Sequence, residues 1–103
     1  MDMLGAPYVY GAAGPNTFDD SGLTYWAHKQ CGITIPRTGR AQTFGGREGD
    51  GSEGDIVCFG SPAYRVGICY SSGKCICIPH PCALVQIMYL RNFPCRKTYR
   101  RYY

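Results

Sequence analysis

Seven cysteines, two histidines and an adjacent pair of aspartates are the side chains with the most chemistry to offer in this chain. The cysteines stand at 31, 58, 69, 75, 77, 82 and 95, and an odd count leaves at least one thiol unpaired in a monomer. Cys75 and Cys77 are two apart, so on a strand they share a face, and Cys69, Cys82 or His80 would have to complete a metal site around them. That spacing is tighter than the Cys-x-x-Cys of a zinc knuckle, and no paired-histidine spacing accompanies it, so no metal is assigned. Buried thiols behaving as small apolar side chains explain the same residues. His28 lies within a helical pattern and reads as a surface residue. His80 follows a strand pattern three residues after Cys77, where a thiol–imidazole pair would need hydrogen-bond geometry that a strand end rarely offers. Asp19 or Asp20 precedes an apolar periodic run, the place where a carboxylate caps a helix.

The elements that would hold these residues follow from period and punctuation. Pro7, Gly11, Gly14, Pro15 and Asn16 mark residues 1–19 as loop. Leu23, Trp26, Ala27 and Gln30/Cys31 recur at helical spacing until Gly32 ends the run. Thr38 to Thr43 fits a short second helix, and GGREGDGSEG at 45–54 a polar loop. Strands are expected at Asp55–Phe59, Arg65–Tyr70, Lys74–Ile78 and Ala83–Leu90, with a hairpin turn at Ser71-Ser72-Gly73 and a last short strand over 97–103. One helix followed by an antiparallel β-meander is an α+β domain.

Length and charge bound the partners. The 103 residues fit one domain with one modest core. Net charge is +4, but all the acidic residues lie at or before Asp55 while Arg96, Lys97, Arg100 and Arg101 crowd the end. A basic, Tyr-rich tail can touch nucleic acid, yet no nucleic-acid motif accompanies it, and a solvated last strand accounts for it. No apolar run is long enough to span a membrane. Met1-Asp2-Met3-Leu4 lacks the charged and apolar regions of a signal peptide.

Three segments carry a resemblance. Leu4-Gly5-Ala6-Pro7-Tyr8-Val9-Tyr10-Gly11 followed by Gly14-Pro15-Asn16-Thr17-Phe18-Asp19-Asp20-Ser21-Gly22-Leu23 is similar to the NlpC/P60 run LGxPYxYGG…GPxxFDCSGL. Gly32-Ile33-Thr34-Ile35-Pro36-Arg37-Thr38 resembles that family's G(I/L)xLPR(T/S). Gly54-Asp55-Ile56-Val57-Cys58-Phe59, Arg65-Val66-Gly67-Ile68 and Ile76-Cys77-Ile78-Pro79 resemble GDLVFF…HVGIY…IHAP. The resemblance covers residues 4 to about 90, treats 1–103 as one domain, and leaves the family's first helix mostly missing. It implies a papain-like core, with a nucleophile-bearing helix packed on an antiparallel sheet. It also implies peptidoglycan stem peptides as the partner, a secreted or cell-envelope setting, no cofactor, and acyl transfer through a cysteine thiolate.

All three triad positions depart from that chemistry. The nucleophile position is Asp20, which does not readily replace a thiolate in amide hydrolysis. The base position is Arg65, whose guanidinium cannot take up a proton. The orienting position is Cys77. Triad members act as a unit, so three losses together imply a catalytically inactive domain; the alternative is an endopeptidase inactivated by engineering or working through displaced residues. Asp20 and Arg65 keep the sign pattern of a thiolate–imidazolium pair, which leads to the expectation of a salt bridge across the cleft. Tyr8, Asp19 and Ser21 match the family residues that grip the free amine end of the stem peptide; their structural alternatives are core packing, a helix cap and a first-turn filler. Arg37 matches too and is read as structural.

Overall fold

Residues 20–30 alternate between apolar and polar at helical spacing, and they form α1 (Asp20–Gln30) in the computed structural model, which describes residues 3–60, 63–80 and 82–103. The first two residues of the expected N-terminal loop lie outside the described residues. Of the two candidate caps it is Asp19 that takes the role: its backbone is extended and its carboxylate accepts the Gly22 N–H. Asp20 becomes the first helical residue, where its charge complements the helix dipole. Cys31 ends the helix, and Gly32 follows at φ 79°, the left-handed conformation a helix exit favours. The second helix, α2 (Gly39–Phe44), is capped by Thr38, whose side chain accepts from Ala41 N.

Among the described residues six strands make one sheet: β1 (Arg47–Glu48), β2 (Ile56–Phe59), β3 (Arg65–Cys69), β4 (Lys74–Cys77), β5 (Gln86–Tyr89) and β6 (Lys97–Arg101). Their order is β1-β6-β2-β3-β4-β5, with every pairing antiparallel. The run β2 to β5 is the expected meander. The strand expected over Ala83–Leu90 is shorter, Gln86–Tyr89, with Leu90 opening a short 3-10 turn, and two larger parts differ from expectation. The last strand returns across the molecule and inserts between β1 and β2. Within the expected polar loop, Arg47 and Glu48 pair with Arg101 and Arg100. Both differences come from pairing with a distant partner, which local pattern cannot reveal.

The sheet is covered on both faces. Ile76 and Ile78 pack with Phe18, Leu23 and Val85 under α1, and Ile56, Cys58 and Val66 pack with Ile35 beside them. The alternate residues Val57, Phe59, Cys69, Cys75 and Cys77 form the opposite layer, closed by Leu90, Phe93 and Cys95. Phe59 and Phe93 stack with ring centroids 4.7 Å apart. Most of the thiols therefore serve the core, as their apolar reading anticipated: Cys58, Cys69, Cys75 and Cys77 are buried, while Cys31 and Cys82 are exposed.

Candidate functional site

Tyr8, Asp19, Asp20 and Ser21 are gathered by a short backbone pairing ahead of α1. Val9 N donates to Phe18 O at 3.0 Å and Phe18 N to Pro7 O at 3.2 Å, which lays Tyr8 beside the helix start. Asp19 N donates to Ala12 O at 2.8 Å. Residue 22 has to be glycine there, because a Cβ would strike the Ala12 carbonyl and the Asp19 carboxylate. Behind the first turn, the fully buried Gln42 of α2 donates to Ser21 O at 3.0 Å and Pro36 O at 2.9 Å. Nothing in the sequence pattern singled out Gln42; a polar residue inside a six-residue helix gives too short a period to read.

Asp19 is buried and saturated with donors. Its Oδ1 accepts from Gly22 N at 2.6 Å, Ser21 Oγ at 3.3 Å and Arg37 Nη1 at 3.3 Å. Its Oδ2 accepts from Gly11 N at 2.9 Å and Arg37 Nη2 at 3.1 Å. Burial opposes its charge, but the Arg37 guanidinium and the N–H groups of Gly22 and Gly11 outweigh it and hold the carboxyl below the usual carboxylate range. Arg37 Nη1 also donates to Ser21 Oγ at 3.0 Å, so Arg37 joins two of the three expected recognition residues. The third, Tyr8, is half-buried; desolvation, then the charges of Asp20 and Asp19, push its hydroxyl above the ordinary tyrosine value. A cavity of about 380 Å³ borders Tyr8, Asp19, Asp20, Ser21 and Arg37 together.

Asp20 and Arg65 converge, but not as expected. They border one small cavity of about 120 Å³ with Tyr8, Tyr64 and His80, and a second of about 190 Å³ with Arg40 and Tyr64. The salt bridge anticipated between them is absent: the ion pairs among the described residues are Arg37–Asp19, Arg101–Asp50 and Arg101–Asp55. Arg65 instead lies over the Tyr64 ring at 5.6 Å, and Asp20 stands as the first residue of α1, directly after the cap. Two half-exposed charges gain little by closing such a gap, which is the physical reason the bridge does not form.

Cys77 sits in the layer away from α1, fully buried, with Cys75 Sγ donating to its Sγ at 3.8 Å. That contact, with burial, pushes the Cys75 thiol far up. The accepted S–H lowers Cys77; burial opposes this and the Arg65 charge assists it. His80 is exposed at the cleft. His28 is not the surface residue expected: it is buried, its Nδ1 lies 2.8 Å from Thr24 O, and its ring meets Tyr102 edge-on. The helix face that carries it turns toward the C-terminal strand, whose position the sequence did not reveal.

Asp55 opens the sequence motif before β2 and proves to be a structural anchor. Its fully buried carboxylate accepts from the N–H groups of Asp50, Gly51 and Ser52 at 3.1–3.2 Å. Arg101 Nε donates to it at 2.7 Å and Tyr103 Oη at 3.1 Å. Burial opposes its charge, and Arg101 leads the bonds that hold the carboxyl below its ordinary value. Arg100 Nε donates to Gly45 O at 2.8 Å, so two arginines of the basic tail are engaged inside the fold.

A capped helix start that opens onto a polar cleft at the mouth of an antiparallel sheet defines an α+β domain built around a helix-start site. The profile of the NlpC/P60 family matches residues 5–102, and the chain belongs to the NlpC/P60 family. A probable endopeptidase of Corynebacterium glutamicum is 50% identical over 76 residues, which span 71% of this chain and 36% of that protein. The solved NlpC/p60 domain of the peptidoglycan hydrolase SagA superposes with a TM-score of 0.83 at 30% identity, covering 96% of this chain and 90% of that one. RipD from Mycobacterium tuberculosis, described as a non-catalytic NlpC/p60 domain protein adapted to peptidoglycan binding, shares the fold with a TM-score of 0.79 at 19% identity, covering 96% and 88%. The chain thus spans about a third of the curated relative's length.

Proposed function

We propose that this domain binds the cell-wall stem peptide without cutting it. The observation that carries the reading is the identity of the groups around one cleft. Its helix start presents a carboxylate, Asp20, and its strand start a permanent cation, Arg65, so neither a thiolate nor a proton acceptor stands at the places the family uses for them. Beside them Tyr8, Asp19 and Ser21 border an open cavity of about 380 Å³. Asp19 is anionic but already holds five bonds, so an incoming ammonium would meet its outer edge together with the free carboxylate of Asp20. Relatives named as probable endopeptidases and a peptidoglycan hydrolase support the cell envelope as the setting and peptidoglycan as the ligand. The fold also tolerates a non-catalytic role, since RipD is described in those terms.

Titration of the ¹⁵N-labelled domain with a stem tetrapeptide tests the reading. Shifts concentrated at Tyr8, Asp20 and Ser21 support it; unchanged spectra at millimolar peptide refute it. A second reading, an endopeptidase acting through displaced residues, draws on His80 at the same cleft and on the endopeptidase names of the relatives. It requires hydrolysis of that tetrapeptide.

A further inference from the structure

The guanidinium groups around the cleft are unevenly used. Arg37 is spent on Asp19 and Ser21. Arg40 and Arg65 border the cavity of about 190 Å³ beside Asp20. Neither takes part in an ion pair among the described residues, and Arg65 lies over the Tyr64 ring. Two cations facing one carboxylate leave that limb of the cleft net positive.

A guanidinium distinguishes sharply between a carboxylate and an amide. The carboxylate accepts a forked pair of bonds with both partners ionised, whereas an amide carbonyl accepts through a single oxygen and brings no charge of its own. A neutral carbonyl placed there would also bring no charge to offset the second arginine. Asp20 adds an acceptor that suits N–H donors of a ligand, and its repulsion of a ligand carboxylate is opposed by the two guanidinium groups that border the same cavity.

Resting on the peptide-binding role proposed above, we infer that the cleft selects peptides already cut: the free carboxylate left by cleavage lies between Arg40 and Arg65. Uncut stem peptide, with a neutral amide at that place, is the weaker ligand. The domain would then report hydrolysis done elsewhere.

The test is a pair of titrations with one probe in two forms. The probe is a dipeptide with a free amine end, its carboxyl groups free or all converted to amides. The free acid is expected to bind about tenfold tighter at low salt, and the ratio to shrink as salt is added. R65Q and R40Q should each bring the ratio toward one. Arg40 is exposed, so R40Q reads out even if R65Q fails to fold. Equal binding of acid and amide by the wild type, or a ratio untouched by both substitutions, overturns the selectivity while the binding role stands. Binding of neither form overturns the binding role and the selectivity with it.

Discussion

Asp19 and Asp20 are neighbours in sequence with opposite fates. Asp19 is buried, accepts five hydrogen bonds and pairs with Arg37 at 3.1 Å. Asp20 is half-exposed, forms no ion pair among the described residues, and borders every part of the cleft described above. One carboxylate builds the site and the other is offered to a ligand. Asp55 repeats the first behaviour just ahead of β2, where it gathers loop N–H groups and the side chains of Arg101 and Tyr103. A carboxylate that is saturated inside the fold holds structure, and one left open to a cavity is available for recognition.

Removing the saturated groups should cost most. Asp55→Ala strips a buried anion from Arg101 and three backbone donors, and should lower unfolding free energy by about 3–5 kcal/mol in denaturant titration. Asp19→Ala loses the cap and leaves Arg37 without its anion, for a cost of about 2–4 kcal/mol. Asp19→Asn keeps a capping oxygen and should cost less. Acid should act on the same two groups. Both carboxyls sit below their ordinary value in the fold, so their stabilisation is complete above the unfolded carboxyl pKa of about 4 and is lost as pH falls through the lower folded value. Stability measured from pH 6 to pH 2 should therefore fall less steeply in Asp19→Asn than in the wild type. Asp20→Asn should change stability by no more than about 0.5 kcal/mol while weakening peptide binding. Asp20→Cys alone should give no peptidase activity, because Arg65 still cannot accept a proton; turnover by that variant would mean another group supplies the base.

The helix and the meander were legible because local signals agree there, and the cleft-forming residues because the motifs that hold them resemble those of the NlpC/P60 family. Asp19 ahead of a 3.6-period run fixes the helix start, and turn residues separate the strands. β6 was legible as a strand but not in place, since the partner that draws it beside β2 lies forty residues away in sequence. Arg37 was visible only as structural; its bond to Ser21 depends on the loop between α1 and α2 folding back, which no periodicity records. The Asp20–Arg65 bridge was inferred from their places at the family's nucleophile and base positions and from charge sign. Sign gives attraction, but where Arg65 lies, over the Tyr64 ring, is a tertiary fact that sign does not carry.

Incubation of the purified domain with a stem tetrapeptide, followed by mass spectrometry with and without iodoacetamide, tests the central claim most directly. A binding domain without a thiolate–imidazole pair leaves the peptide intact in both samples. Cleavage that iodoacetamide abolishes would contradict it, and would place the chemistry on one of the cysteines.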